Sequence, residues 1–245
     1  MAMISLIYKK GSINDPSNYR GISLLSSLGK FFYTVLKNRL TNFVRKQKIL
    51  SDCQLGFQVG NRTSDAHIIL YNLIRKYCHK NYKMIFGCFI DFQKAFDKIP
   101  REILLEKLLK YNITGKMYAS IKNLYTNNLS CIKIDNKMTK MFPIDQGVKQ
   151  GCILSPILFN LFMADLPTAL DPHKGVSLDK SIKFNCIIWA DDIIIMSESE
   201  SDLNYHLKVL ASYCGNNGLT LNTDKTKVMI FNKNRQTCKT YIFIQ

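Results

Sequence analysis

The sequence predicts an α+β fold, and three observations carry that prediction. Met84 to Ile90 is a nearly unbroken apolar run, the signature of a central strand buried on both faces. Cys186 to Ser197, Cys-Ile-Ile-Trp-Ala-Asp-Asp-Ile-Ile-Ile-Met-Ser, reads as two further buried strands, with a tight hairpin turn at the two adjacent carboxylates. Around these strands lie segments of helical period, the longest from about Ser27 to Lys46. A chain of 245 residues that is 47% hydrophobic and 21% charged buries a substantial core, in one or two domains.

Asp-Asp is a poor hairpin turn, because two-residue turns favour Asn-Gly or Asp-Gly, where a positive φ costs little. Two like charges against hydrophobic strands also repel each other and resist desolvation. Two readings stand at this point: a divalent metal site, or a solvated turn at a sheet edge.

Charge narrows the partners. Lys and Arg total 34 against 18 Asp and Glu, a formal +16. Residues 1 to 90 hold 14 basic and 3 acidic residues, a balance of +11, which leaves +5 for the other 155. An excess of that size in the N-terminal third suggests a polyanion, with nucleic acid ahead of an anionic membrane because no basic amphipathic anchor stands out. The eight cysteines form no C-x-x-C pair and no Cys/His cluster, which argues against zinc. Several lie in apolar runs, as reduced thiols do in intracellular proteins. The N-terminus lacks the apolar core of a secretory signal, and no apolar run approaches the roughly 18 residues of a membrane span. The expectation is an intracellular protein, nuclear or cytoplasmic, with no membrane contact.

In chain order, residues 4 to 8 read as a strand, and Tyr19 to Leu25 as a second. Lys9, Lys10 and Arg20 then share one hairpin, suited to a triphosphate or merely a basic surface. From Ser27 to Lys46, Phe31, Phe32, Val35, Leu36, Leu40 and Phe43 form a stripe expected in the core. A glycine-containing loop at 54 to 65 leads into a helix from 64 to 80, capped by Thr63 or Ser64. The run 84 to 90 ends in Asp91, at a cleft or capping a turn. Asp97 reads as a helix cap, and Pro100 as the first residue of a helix to Tyr111. A helix follows Gly115 to about Tyr125, then a hairpin of strands near 130 to 135 and 139 to 144 through Asn136. Gln146 to Cys152 is a loop with two glycines, and Ser155-Pro156 opens a helix to about Leu170. After the carboxylate hairpin come a helix from about Glu200 to Asn216 and a last strand from Lys227 to Phe231.

Taken together, these segments resemble the ordered motifs of a reverse transcriptase, most closely those of the non-LTR (LINE-class) retrotransposon group. Phe89 to Asp97 resembles motif A; Gly147 to Cys152 with Ser155 to Asn160, motif B; Trp189-Ala190-Asp191-Asp192, motif C; and Leu221-Asn222 through Lys225-Thr226-Lys227, motif D. Upstream, Asn18 to Leu25 with Lys30, and Gln54 to Phe57 with Arg62-Thr63, are similar to the group's fingers segments. The resemblance covers about residues 4 to 232 and favours the metal-site reading of the paired carboxylates.

It implies a right-hand polymerase, with fingers at 1–90, an antiparallel palm sheet flanked by helices at 91–235, and a short tail at 236–245. Residues about 100–145 would contribute helices and a hairpin next to the fingers. No thumb is expected, and processivity should suffer. The reaction implied is Mg²⁺-dependent addition of deoxynucleoside triphosphates to a DNA primer on an RNA template, through two ions about 4 Å apart, with Mn²⁺ as a substitute. Asp91 and Asp191 are the implied ligands, with the Phe92 carbonyl as an extra one and Asp192 as a weaker contributor. Phe96 matches the bulky residue that rejects a 2′-hydroxyl, which disfavours an RNA-dependent RNA polymerase. Gln150 and Gly151 match contacts to the incoming nucleotide. Arg20, with Lys9 or Lys10, matches the triphosphate grip, and Lys225 or Lys227 the lysine near the leaving pyrophosphate. Trp189 stands where the family usually has Tyr or Phe, and Gly21 replaces a usual Pro. The alternative is a catalytically weak or inactive remnant that binds RNA and DNA. Oligomeric state is not legible.

Overall fold

The computed structural model describes residues 2–80, 83–134, 137–177, 183–232 and 237–239, the last three and residues 79–80 by backbone alone. Asn136, the expected hairpin tip, lies outside the described residues, as does most of the 236–245 tail. In chain order the strands and helices are β1 (Ala2–Tyr8), β2 (Tyr19–Leu24), α1 (Ser27–Lys46), α2 (Thr63–Ile74), β3 (Ile85–Ile90), α3 (Ala95–Lys98), α4 (Arg101–Lys110), α5 (Gly115–Tyr125), β4 (Leu129–Ile134), β5 (Lys137–Met138), β6 (Phe142–Pro143), α6 (Ser155–Phe162), α7 (Leu166–Ala169), β7 (Val176–Ser177), β8 (Lys183–Phe184), β9 (Cys186–Trp189), β10 (Asp192–Ser197), α8 (Glu200–Asn217), β11 (Lys227–Phe231) and β12 (Thr237–Lys239). The mixed α+β class is as expected. No helix among the described residues is long and apolar enough to cross a membrane.

The chain divides into two compact units, the first made of Met1–Ile49 and Phe96–Phe162. Its sheet runs β2-β1-β4-β5, with β6 also on β4. β1 pairs antiparallel with β2, Ile7 opposite Arg20, and parallel with β4. Leu36 and Leu40 of α1, Leu104 and Leu108 of α4, Ile121 of α5 and Phe159 of α6 are buried among the helices. Ser26 caps α1 by accepting from the Gly29 N–H at 3.1 Å. The buried stripe of α1 is Tyr33, Leu36, Leu40 and Val44, so Leu36 and Leu40 lie in the core as read from the sequence while Phe31, Phe32, Val35 and Phe43 do not. Phe31 is 72% exposed, and Phe32 and Val35 are exposed too, because a stripe set by Tyr33 and Val44 turns those positions outward.

The second unit is Leu50–Ala95 with Met163–Gln245. Its antiparallel sheet is ordered β12-β11-β3-β10-β9. β3 is central, as its apolar run predicts, though Phe89 is exposed. On one face Ile194 and Met196 of β10 and Ile187 of β9 pack with Leu73, Tyr77 and Phe231. Alternation turns Ile193 and Ile195 to the other face, and α8 packs on β10 and β3. Ser199 caps α8 and Gly218, in left-handed conformation, ends it.

Four local readings are corrected. Arg62 is the N-cap of α2, its backbone N–H donating to Asp65 Oδ2 at 2.6 Å, so the carboxylate at the third helical position closes the turn instead of the Thr63 or Ser64 hydroxyl. Pro100 is the N-cap of α4 and not its first residue, while Asp97 lies within α3. The helix opened by Ser155 breaks at 163–165 before the short α7, which has Pro167 in its first turn, where a missing N–H does no harm.

Candidate active site

The β9–β10 hairpin turns on Ala190 and Asp191, since Trp189 and Asp192 are already a strand pair. This corrects the Asp-Asp turn: Asp192 belongs to β10. Ala190 takes a φ of 57°, a left-handed value that costs a residue with a Cβ about 1–2 kcal/mol. Backbone packing compensates. Leu55 and Gly56 donate to the Ile188 carbonyl at 2.8 and 3.3 Å, and Ile188 donates to the Cys53 carbonyl at 2.8 Å. The segment 53–56 thus lies along β9 like a short parallel strand. A Cβ on Gly56 would stand 2.4 Å from the Ala190 nitrogen, so only glycine lets this backbone reach the turn. Beneath it a hydrogen bond with Cys186 pulls the Cys53 thiol down to about 7. Trp189, half-buried, packs against the cluster around Leu55 and Leu73.

Asp91 follows the last residue of β3. The β3–β10 ladder pairs Ile90 with Ile193; one step further along that antiparallel register sets Asp192, the first residue of β10, beside Asp91, with Asp191 next to it in the turn. Carboxylates a hundred residues apart in sequence therefore meet at one end of the sheet. The Asp192 carboxyl is raised above the usual carboxylate range, first by lost hydration and then by the negative charges of Asp191 and Asp91.

The turn after Leu221 wraps the tip of β3. Asn222 donates its backbone N–H to the Asp91 carbonyl at 2.8 Å and its side-chain amide to Asp91 Oδ2 at 2.8 Å. The Asp91 N–H donates to Thr226 Oγ1 at 3.3 Å, and the Lys225 ammonium lies 3.6 Å from Asp91 Oδ2. Phe92 bridges Leu221, flanked by bonds from Gln93 N to Thr220 O and from Asn222 N to Asp91 O. In such a pair the central residue's own N–H and C=O face away from its partner, so the Phe92 carbonyl points to the other side of the strand, which β10 occupies. Lys227 begins β11 opposite Phe89.

Among the described residues no three His, Cys, Asp or Glu side chains form a ready-made metal cluster. Mg²⁺ needs none: it is held by one or two carboxylates with water and substrate phosphates, not by a full protein cage. Hard oxygen donors, with Asp192 raised first by lost hydration and then by its negative neighbours, suit such a cation.

In the first unit the nucleotide candidates gather on other elements. Lys9, Lys10 and Arg20 are exposed at the β1–β2 hairpin, where the Lys9 N–H donates to the Asn18 carbonyl at 2.8 Å. Gly21 sits in regular register opposite Leu6. The loop 146–152 docks on β2: Ser23 N donates to the Gln150 carbonyl at 2.7 Å, and a Cβ on Gly151, whose φ is 93°, would stand 3.0 Å from Ile22 Cγ2. The Gln150 amide donates to Asp97 Oδ1 at 2.7 Å. Phe96 stacks on Phe159 with ring centroids 4.5 Å apart, and its carbonyl accepts from Val148 N at 2.8 Å. Gly147 packs so closely on the Asp97 carbonyl that a Cβ would come within 2.5 Å of it. Buried Arg101 donates to the carbonyls of Gly147, Tyr125 and Ile144, tying the loop down from behind.

Sequence reasoning gave no role to Asn222, Gly56 or Arg101, and read Asp97 only as a helix cap. Asn222 and Gly56 stood inside quoted motifs, and that was the only signal. Asp97 closes a quoted motif too, but its bond to Gln150 had no signal, and neither had the Arg101 contacts, because the partners lie tens of residues away.

Residues 7–242 match the family described as reverse transcriptase (RNA-dependent DNA polymerase). The chain is 30% identical over 239 residues to the "Probable RNA-directed DNA polymerase from transposon BS" of Drosophila melanogaster, covering 92% of this chain and 25% of that protein. It is 27% identical over 245 residues to the "RNA-directed DNA polymerase from mobile element jockey" of the same species, covering 97% and 26%. The chain thus spans about a quarter of the length of these relatives. Among solved structures, telomerase from Candida albicans with a telomeric RNA fragment superposes with a TM-score of 0.67 at 13% identity, over 96% of this chain and 42% of that one. Telomerase from Candida tropicalis without its C-terminal domain gives 0.63 at 15%, over 99% and 51%. At such identities the likeness is one of fold.

Proposed function

The chain belongs to the reverse transcriptase family, with relatives among the RNA-directed DNA polymerases of non-LTR retrotransposons, and from that premise we propose that it adds deoxynucleotides to the 3′-hydroxyl of a DNA primer on an RNA template. The observation that supports this most is the meeting of Asp91 with Asp191 and Asp192 at one end of the sheet, where their charges act on each other. Asp91 and Asp191, with the Phe92 carbonyl, would hold two Mg²⁺, or Mn²⁺ in their place, and Asp192 would add negative potential. Bound there, the ions supply stabilisation of the attacking alkoxide and the leaving pyrophosphate.

The chain's own residues do the rest. Arg20 grips the triphosphate with its planar fork, helped by Lys9 and Lys10. Gln150 and Gly151 contact the incoming nucleotide, Gln150 held in place by Asp97. Phe96, backed by Phe159, excludes a 2′-hydroxyl. Lys225, whose ammonium lies 3.6 Å from Asp91 Oδ2, or Lys227 at the start of β11 serves as the lysine near the leaving pyrophosphate. Residues 1–90 serve as fingers and 91–235 as palm, a functional division that the compact units cut across.

A second reading, a silent remnant that binds RNA–DNA duplex, rests on the +11 balance of residues 1 to 90. Primer extension with Mg²⁺, deoxynucleotides and an RNA template separates the two. The polymerase reading expects incorporation that Asp191→Asn abolishes; incorporation unchanged in that variant removes the metal assignment. Binding without incorporation, weakening steeply with salt as phosphate contacts release counterions, selects the remnant.

A further inference from the structure

Asn222 holds Asp91 at two points. Its backbone N–H fixes the Asp91 carbonyl and its side-chain amide fixes Oδ2, each at 2.8 Å. A carboxylate only accepts, so the atom facing Oδ2 is the amide nitrogen. The turn carrying Asn222 is itself closed, with Thr226 N and Lys225 N donating to the Asn222 carbonyl at 2.8 and 3.2 Å. Thr226 is buried and accepts from the Asp91 N–H at 3.3 Å. One five-residue turn thus grips the backbone of Asp91 on both its N–H and its C=O.

The two side-chain contacts fall on the same oxygen. Asn222 and Lys225 both address Oδ2, and Oδ1 has no protein partner among the described contacts. The carboxylate torsion of aspartate is broad and roughly two-fold, so without a partner the two oxygens exchange freely. The Asn222 amide removes that freedom and leaves Oδ1 as the presented oxygen. Lys225 cannot do the same, since its ammonium is exposed, longer in reach and without directional preference.

We propose that Asn222 is a positioning residue for Asp91, committing Oδ2 to the amide so that Oδ1 is presented to the metal ion. The proposal rests on the reading of Asp91 as a metal ligand. Partners that orient a ligating group are worth about 10- to 100-fold in metal affinity or activity.

The test is direct Mn²⁺ binding by electron paramagnetic resonance, without nucleotide, on wild type, Asp91→Asn, Asn222→Ala and the isosteric Asn222→Leu, with thermal midpoints measured alongside. Expected is a loss of Mn²⁺ affinity in both Asn222 variants of about 10- to 100-fold. In primer extension the Mg²⁺ requirement rises in proportion, excess metal restores most of the rate, and affinity for primer–template is unchanged. A merely structural role would lower the thermal midpoint and leave Mn²⁺ affinity at the wild-type value; that result in folded Asn222→Leu overturns the proposal. If Asp91→Asn binds Mn²⁺ as wild type does, the metal assignment itself fails and takes the proposal with it. Loss in Asp91→Asn with none in Asn222→Leu defeats the positioning role alone.

Discussion

The carboxylate end of the β3–β10 sheet and the cationic β1–β2 hairpin handle charge in opposite ways. Asp91 has its backbone N–H, its carbonyl and one carboxylate oxygen engaged, on a sheet whose strands are almost wholly buried. Lys9, Lys10 and Arg20 stand exposed, and among the described contacts none has an ion pair. Groups that must meet a reacting atom have to be fixed before it arrives, because the benefit of orientation is lost with small displacements. Groups that capture a polyanion act over a Debye length of about 8 to 10 Å and need no such fixing. Substitutions near the carboxylates should therefore act on rate, and substitutions at the hairpin on affinity.

The largest effect is expected at Asp91 itself: Asp91→Asn should lower the extension rate by about 10³-fold, the equivalent of about 4 kcal/mol, with primer–template affinity intact. Next comes Gly56→Ala, whose methyl would stand 2.4 Å from the Ala190 nitrogen. Overpacking of that kind costs about 1–3 kcal/mol, and the shifted hairpin should lower the rate about 100-fold, read by melting and single-turnover extension. Gly56→Ala at wild-type rate would show that the carboxylate hairpin tolerates movement, and the contrast between the two regions would blur.

Phe96→Ala should admit ribonucleotides about 10- to 100-fold more readily, the discrimination available to one apolar contact, seen as the ratio of kcat/KM for the two sugars. Unchanged discrimination removes that role. The smallest effect concerns stability. Buried His206 contacts Ser197 Oγ at 3.0 Å and the Asp171 carbonyl at 3.1 Å, and burial holds its pKa below 6.5, against the pull of Asp171 and Asp202. The unfolded chain binds the proton first as pH falls, so stability is lost from about pH 6.5 downward through the lowered folded value. In His206→Gln the melting temperature should depend less on pH across that window.

The regular elements of this fold were legible because their signals are local. The run ending at Ile90, the helix from about Glu200 and the strand Lys227–Phe231 each declare themselves within a few residues. The buried face of α1 was legible only at Leu36 and Leu40; its edge at Tyr33 was not, since Phe31 is the more apolar ring and only the packing of neighbouring helices turns Tyr33 inward instead. The carboxylates were legible as chemistry, because adjacent charges in an apolar run demand an explanation. The precise turn was not: Ala190 in a left-handed conformation has no signature of its own, and its support comes from Gly56, more than a hundred residues earlier. Asn222 escaped for the same reason, as an ordinary turn residue until Asp91 is beside it.

The central claim, that carboxylates from two distant strands act as one site, is tested most directly by a double-mutant cycle in primer extension. Asp91→Asn and Asp191→Asn should each abolish most of the activity, and the double variant should be no slower than either alone, because groups acting as a unit are not additive. Two moderate losses that multiply in the double variant would show the carboxylates working independently, and would contradict the account.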